Sequence, residues 1–151
     1  MKAVIQRVLS ASVTINHQET RSINRGIVIL LGVQDTDTPA ICQKLAVKCA
    51  GLRIFDDENG DLNVSAEENG YEAMVVSNFT LYGDTKKGRR PSFLAAAKPP
   101  LSVDCYEAFI AHLKNTALAH VVTGEFGADM QIALVNDGPI TIVIETDDWK
   151  K

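Results

Sequence analysis

The sequence predicts an α+β fold: largely antiparallel β-sheets packed face to face in a barrel-like arrangement, with two main helices on one side. Three observations carry this. About nine short, β-branched or alternating runs read as strands, against two stretches of helical period. The strands come in hairpin-like groups and not in strict β-α alternation. Hydrophobic residues make up 46% of 151 residues, enough for a single domain, 1–151, with a real core.

The elements follow in order. Lys2 to Leu9 is a strand, and Val13-Thr14-Ile15 continues it out of phase, so Ser10-Ala11-Ser12 reads as a bulge. Asn16 to Glu19 turns the chain and Thr20 to Ile23 returns it. Gly26 to Val33 is almost wholly apolar. It is too short and too β-branched for a helix, which makes it a central strand buried on both faces. Thr38 is placed to cap a helix whose first position is Pro39 and which runs to Gly51 or Leu52. Arg53-Ile54-Phe55 and Leu62-Asn63-Val64 are short strands around the acidic turn from Asp56 to Asp61. That turn is no EF-hand: with Gly60 at the required glycine, Phe55 falls on the first ligand position and Ala66 on the last.

Tyr71 to Leu81 reads as the next long strand, and Gly83 to Pro100 as a polar loop. Ser102 to Cys105 opens a second helix, with Val103, Tyr106, Phe109, Ile110, Leu113 and Leu118 as its buried stripe. Val121 to Gly124, Met130 to Val135 and Pro139 to Glu145 are the last strands. Asn136-Asp137-Gly138-Pro139, between the final two, holds turn residues and reads first as a hairpin turn. The tail from Asp147 to Lys151 is expected to fray.

A net charge of −4 argues against a generally basic nucleic-acid binder but leaves room for a local basic patch. There is no apolar run long enough for a membrane span. Met1-Lys2-Ala3-Val4 passes straight into a strand without a cleavage region, so a cytoplasmic protein is expected. Cys42, Cys49 and Cys105 are odd in number, form no C-x-x-C pair and have no histidine at ligand spacing. They read as reduced, buried structural residues, and neither metal nor cofactor is expected.

His17, His112 and His120 lie in no nucleophile motif, and G-x-S-x-G is absent. Three other places can carry chemistry. In Ser77-Asn78-Phe79-Thr80, strand period puts Asn78 and Thr80 side by side where an apolar strand ends. An amide and a hydroxyl there suit an ester carbonyl or a positioned water; a plain polar edge is the alternative. Lys86, Lys87, Arg89 and Arg90 are four cations in five positions, followed by Ser92 and Phe93. Phosphates on the cations and a base on Phe93 suit a nucleotide end, with a solvated loop as the alternative. At Gly138-Pro139 the missing Cβ lets a ligand approach main-chain acceptors that suit an ammonium; a hairpin turn is the alternative.

The chain resembles the D-aminoacyl-tRNA deacylase family over essentially its full length. The matching pieces are Ala3 to Val8, Arg53-Ile54-Phe55, Ser77-Asn78-Phe79-Thr80-Leu81, Gly88-Arg89-Arg90-Pro91-Ser92-Phe93, Ala128-Asp129-Met130 and Asn136-Asp137-Gly138-Pro139-Ile140-Thr141. The resemblance implies a homodimer that hydrolyses the ester between a D-amino acid, or glycine, and the 3′ end of tRNA. It implies a cis Gly138-Pro139 bond reaching into the partner subunit's pocket, where main-chain oxygens grip the substrate amine and exclude an L side chain. It places Ser77, Asn78, Phe79 and Thr80 in the catalytic pocket, Arg7 and Asn136 in support, and Lys86, Lys87, Arg89, Arg90, Ser92 and Phe93 at the tRNA end. Two mechanisms are compatible with it: Thr80 as nucleophile, or the terminal ribose 2′-OH working with backbone N–H groups. The family usually has Gln where this chain has Asn78; the shorter amide keeps the donor and loses reach. Expected partners are a second copy and tRNA, without DNA or membrane. The rival from another class is an RNA-binding module without catalysis, against which net acidity counts.

Overall fold

The computed structural model describes residues 1–150. Its spine is strand β1 (Lys2–Ile15), which runs antiparallel to β8 (Met130–Glu145) along nearly its whole length. The other edge of β1 is shared: β2 (Glu19–Ile23) pairs with residues 11–15, and β3 (Gly26–Gly32) with residues 2–8. From β3 the sheet continues by parallel pairing to β6 (Glu72–Ser77) and β7 (His120–Thr123). These six strands form one sheet; β4 (Phe55–Asp56) and β5 (Leu62–Val64) make a separate hairpin.

Parallel neighbours need long crossovers. Helix α1 (Pro39–Ala50) lies in the crossover from β3 to β6, and α2 (Leu101–Lys114) in that from β6 to β7. Thr38 caps α1 by accepting from the Ile41 amide at 3.4 Å. Cys42, Leu45, Ala46 and Cys49 face the core from α1, and Cys105, Tyr106, Phe109 and Leu113 from α2. All three cysteines are free thiols and buried. Leu118 lies beyond the end of α2 but packs against the same core. No helix among the described residues is long and apolar enough to cross a membrane.

The sheet serves two cores. Ala3 and Ile5 join the core under the helices, whereas Val8, Ala11, Val13 and Ile15 join a second one with Val28, Met74 and Val122. A strand of strict period two keeps alternate residues on one face, so β1 must change phase. It does so through register shifts on both sides of Val8, the second of which, between Val8 and Ala11, reaches the bulge expected at Ser10-Ala11-Ser12. The second core lies inside the curl of the sheet. Arg21 on β2 donates to the Thr123 carbonyl on β7 at 2.7 Å, bringing its two ends together. This is the barrel-like α+β arrangement, with two parallel pairings that hairpin grouping did not reveal.

Four local expectations change. The strand begun at Tyr71 stops at Ser77, and Phe79–Tyr82 forms a 3-10 helix. The last ladder bond runs from the Asn78 amide to the Leu31 carbonyl, and Tyr82 then packs on Gly32, where a Cβ would meet its ring at 3.1 Å. Period-two alternation therefore does not set the faces of Asn78 to Thr80. Of Arg53-Ile54-Phe55 only Phe55 is in a strand. The hairpin at residues 136–139 does not exist: Asn136 pairs with Val8 and Thr141 with Gln6, so Asp137 to Ile140 stands opposite Arg7 alone. The two flanking runs share one partner in one direction, and the chain bulges without reversing. The tail is held through a 3-10 helix at Thr146–Lys150, with Gln34 donating to Asp147 at 2.9 Å and Lys44 over the Trp149 ring at 4.6 Å. Lys151 lies outside the described residues.

Candidate active site

A cavity of about 220 Å³ opens where β6 ends. Ser77, Asn78 and Phe79 form one wall, Ser102 and Tyr106 of α2 another, and Phe126 with Met130 a third. The 3-10 helix begins at this wall. A helix leaves its first N–H groups without intrahelical partners, so backbone donors sit where the pocket is made. Thr80 is exposed and does not line the cavity, but its hydroxyl donates to the Asn78 side-chain oxygen at 2.5 Å. That bond turns the Asn78 NH₂ away from Thr80 and leaves it as a donor.

Among the lining residues only Tyr106 titrates. Burial pushes its phenol up to about 12, so it stays neutral and donates, at 3.4 Å, to the Val75 carbonyl. Burial likewise pushes the Cys42 and Cys49 thiols up to about 12, which keeps them from acting as thiolates. The pocket therefore offers hydroxyls, an amide and backbone donors, and no base.

A second cluster is built around Arg7, which is 6% exposed at the point where β1 changes phase. Its Nε lies 3.3 Å from the Asp137 carbonyl and 3.1 Å from the Asp137 carboxylate. Its Nη1 donates to the Ile54 carbonyl at 3.0 Å and to Asp56 at 3.3 Å. The Asn136 amide bridges the bulge, donating to the Arg7 carbonyl at 3.0 Å and the Ile140 carbonyl at 2.9 Å. Between these braces Gly138 has φ +122, and the Gly138–Pro139 bond is cis. A Cβ on Gly138 would lie 2.9 Å from the Ile140 nitrogen.

The basic loop is closed by two backbone bonds between Asp84 and Ser92, at 2.7 and 2.9 Å. Lys86, Lys87, Arg89 and Arg90 are exposed and make no ion pair among the described residues. Phe93, just after the loop, meets Phe79 edge-on with ring centroids 5.2 Å apart. The loop is thus attached to the mouth of the pocket.

The D-Tyr-tRNA(Tyr) deacylase family profile matches residues 4–145. The chain belongs to this family. A D-aminoacyl-tRNA deacylase of Desulfatibacillum aliphaticivorans is 49% identical over 97% of this chain and 99% of its own length. One of Chloroflexus aurantiacus is 52% identical over 97% of this chain and 91% of its own. Among solved structures, that of a c-Myc DNA unwinding element binding protein is 39% identical with a TM-score of 0.88, covering 96% of this chain and 98% of that one. A probable eukaryotic D-amino acid tRNA deacylase superposes with a TM-score of 0.85 at 15% identity, covering 95% and 97%, and speaks for the fold alone.

Set against this deacylase family, the structure brings Ser77, Asn78 and Phe79 into one pocket, adds Thr80 through Asn78, and joins Phe93 through Phe79, while Ser92 is bonded through its backbone to Asp84. Gly138, Pro139, Arg7 and Asn136 form a separate cluster, and none of them lines that pocket. Sequence reasoning missed Ser102, Tyr106 and Phe126. The first two were assigned to a helix opening and a buried stripe, with no sign that the same face ends in a cavity. For the third wall a signal existed, because Ala128-Asp129-Met130 is a family-like motif without an assigned task.

Proposed function

We propose that this protein hydrolyses the ester bond of D-aminoacyl-tRNA, and of glycyl-tRNA on a non-cognate tRNA, in the cytoplasm. Free tRNA and the amino acid are released. The observation that carries this reading is the pocket at the end of β6, with several hydrogen-bond donors and no base. An aminoacyl ester is reactive enough for such a site. Water adds to the carbonyl, the C–O bond to the ribose breaks, and the ribose oxygen takes a proton. The backbone N–H of Phe79, with the Asn78 side-chain amide, holds the developing oxyanion; losing one such donor costs about 10²–10³ in rate. Thr80 orients Asn78 and is not the nucleophile.

The working unit is a homodimer. Gly138 and Pro139 do not line their own chain's pocket, and in this reading their main-chain oxygens act in the partner's. Strand β8 supports this: among the described residues it pairs only with β1, and exposed Leu9, Val135 and Val143 lie along the two strands. A free edge of that length is ordinarily covered. Oxygens on the amine and donors on the ester fix two directions at Cα, so an L side chain is driven against backbone and a D side chain or hydrogen is not. Phosphates of the tRNA end lie on Lys86, Lys87, Arg89 and Arg90.

The test is incubation with D-, L- and glycyl-tRNA, with sedimentation at the working concentration. Release from D- and glycyl-tRNA but not L-tRNA by a dimer is expected. A fully active monomer refutes the shared site. Four cations without an ion pair among the described residues, and 39% identity to a DNA unwinding element binding protein, favour a second reading: nucleic-acid binding without hydrolysis. Binding without release of any amino acid would select it.

A further inference from the structure

We infer that Asn16 and His17 are positioning residues: the turn between β1 and β2 clamps Asp129 and so sets the third wall of the pocket. The turn runs from Ile15 to Gln18 and is closed by the Gln18 amide, which donates to the Ile15 carbonyl at 3.0 Å. Both of its central residues have positive φ, +51 at Asn16 and +57 at His17. Such turns favour Asn at the first central place and Gly at the second, where glycine has no Cβ to crowd the backbone. A histidine in glycine's place is locally strained. Its Nε2 lies 3.0 Å from an Asp129 carboxylate oxygen and 3.5 Å from the Gln131 amide nitrogen. The His17 and Asp129 side chains are 68% and 67% exposed, and an ion pair in that much water adds little to stability. What the contact supplies is a fixed position.

The turn holds Asp129 at its amide, its carbonyl and its carboxylate. The amide donates to Asn16 Oδ1 at 3.2 Å, the carbonyl accepts from the Asn16 amide at 2.8 Å, and the carboxylate meets His17. Asp129 closes the segment that links β7 to β8. At the other end of that segment the Gly124 amide donates to the Val75 carbonyl on β6 at 3.0 Å. Between these two anchors Phe126, Gly127 and Ala128 line the cavity, and Met130 lines it just beyond the second. The segment lies outside both strands, so no ladder fixes it. Where its second anchor stands therefore decides where the wall stands. Asn16 and His17 act on the fit of the substrate from outside the pocket, and the donors at the end of β6 are untouched. This gives Ala128-Asp129-Met130 a task. The inference deepens the proposed function and rests on it for the reaction, though not for the geometry.

The experiment compares the wild type with Asn16→Gly, His17→Gly, Asp129→Ala, Asp129→Asn and the double variant of His17→Gly with Asp129→Ala. Thermal unfolding should show His17→Gly as stable as the wild type or more so, since glycine suits the turn. KM for D-aminoacyl-tRNA should nevertheless rise about 3–10-fold in Asn16→Gly, His17→Gly and Asp129→Ala, with kcat within about twofold. The double variant should be no worse than either of its single variants, because both remove the same contact. Asp129→Asn keeps an oxygen for the ring nitrogen and should stay within about twofold of the wild type. Met1 lies in the core under the helices and Met130 in the wall, so in carbon-13 methyl spectra the Met130 signal should move in the three impaired single variants and the Met1 signal should not. A lowered melting temperature in His17→Gly would make the turn a structural element and overturn the inference. Unchanged KM in the single variants overturns it as well, as does a fall in kcat at constant KM. Losses that add in the double variant, or an equal loss in Asp129→Asn and Asp129→Ala, also refute the clamp. If the wild type hydrolyses no substrate, the proposed activity falls and the Met130 signal decides: moved, the clamp stands; unmoved, it fails.

Discussion

Two departures from regular strand, at residues 137–140 and 78–80, are held in opposite ways. The first is fixed from below: a buried arginine with contacts to two carbonyls and two carboxylates, plus an amide that bridges both ends of the bulge. The second is an exposed 3-10 turn whose side chains share one bond, between Thr80 and Asn78, and whose Phe79 is 58% exposed. The difference matches the tasks proposed for them. Discrimination between mirror-image substrates needs oxygens that do not move. Stabilising an oxyanion with backbone donors depends little on any one side chain, so the turn can remain at the surface and meet a flexible tRNA end.

The largest blow to this contrast is Arg7→Ala. It removes a buried cation and leaves the Ile54 and Asp137 carbonyls without their partner, so a loss of about 2–3 kcal/mol in denaturant unfolding is expected. Hydrolysis of D-aminoacyl-tRNA should fall about 100-fold or more. Stability unchanged in that variant would mean the bulge holds itself. Gly138→Ala tests the same rigidity from above. At φ +122, with 2.9 Å to the Ile140 nitrogen, a methyl group is strained and must push the loop aside. D- and glycyl-tRNA activity should fall together, by about 10-fold or more. If selectivity and rate survive, the bulge is not the selector.

The compliant side is probed more gently. Changing Lys86, Lys87, Arg89 and Arg90 to Ala should flatten a log–log salt dependence of binding with slope about −3, while unfolding stays put. A slope that does not move would return the loop to solvent. Thr80→Ala should lower kcat less than about 10-fold, since it frees Asn78 to reorient but leaves backbone donors in place. A covalent acyl group trapped on Thr80 would reverse that assignment. The smallest effect belongs to Tyr106→Phe. With burial holding the phenol neutral up to about 12, the rate profile between about pH 6 and pH 9 should keep its shape, as followed by initial rates. A lost inflection would show that Tyr106 exchanges a proton in the reaction.

Much of this was legible in the chain. Thr38-Pro39 announced α1, the uninterrupted apolar run from Gly26 announced a strand buried on both faces, and the phase change before Val13 announced a bulge. These are local properties: capping, β-branching and period act within a few residues. The family was legible too, because several motifs in fixed order are more specific than any one. What the sequence left open is non-local. Asn136-Asp137-Gly138-Pro139 carries turn residues, and whether they turn the chain depends on what the flanking runs pair with. Both pair with β1, so the segment bulges over Arg7. Asn78-Phe79-Thr80 has strand-like neighbours, but the strand ends because Tyr82 finds room on Gly32, far away in the chain. Ser102 and Tyr106 became pocket residues only when α2 was laid across the end of the sheet. A sequence fixes which backbone and side-chain groups can bond within reach of one another. Which distant groups come within reach is decided by burying two cores at once, and that is a property of the whole fold.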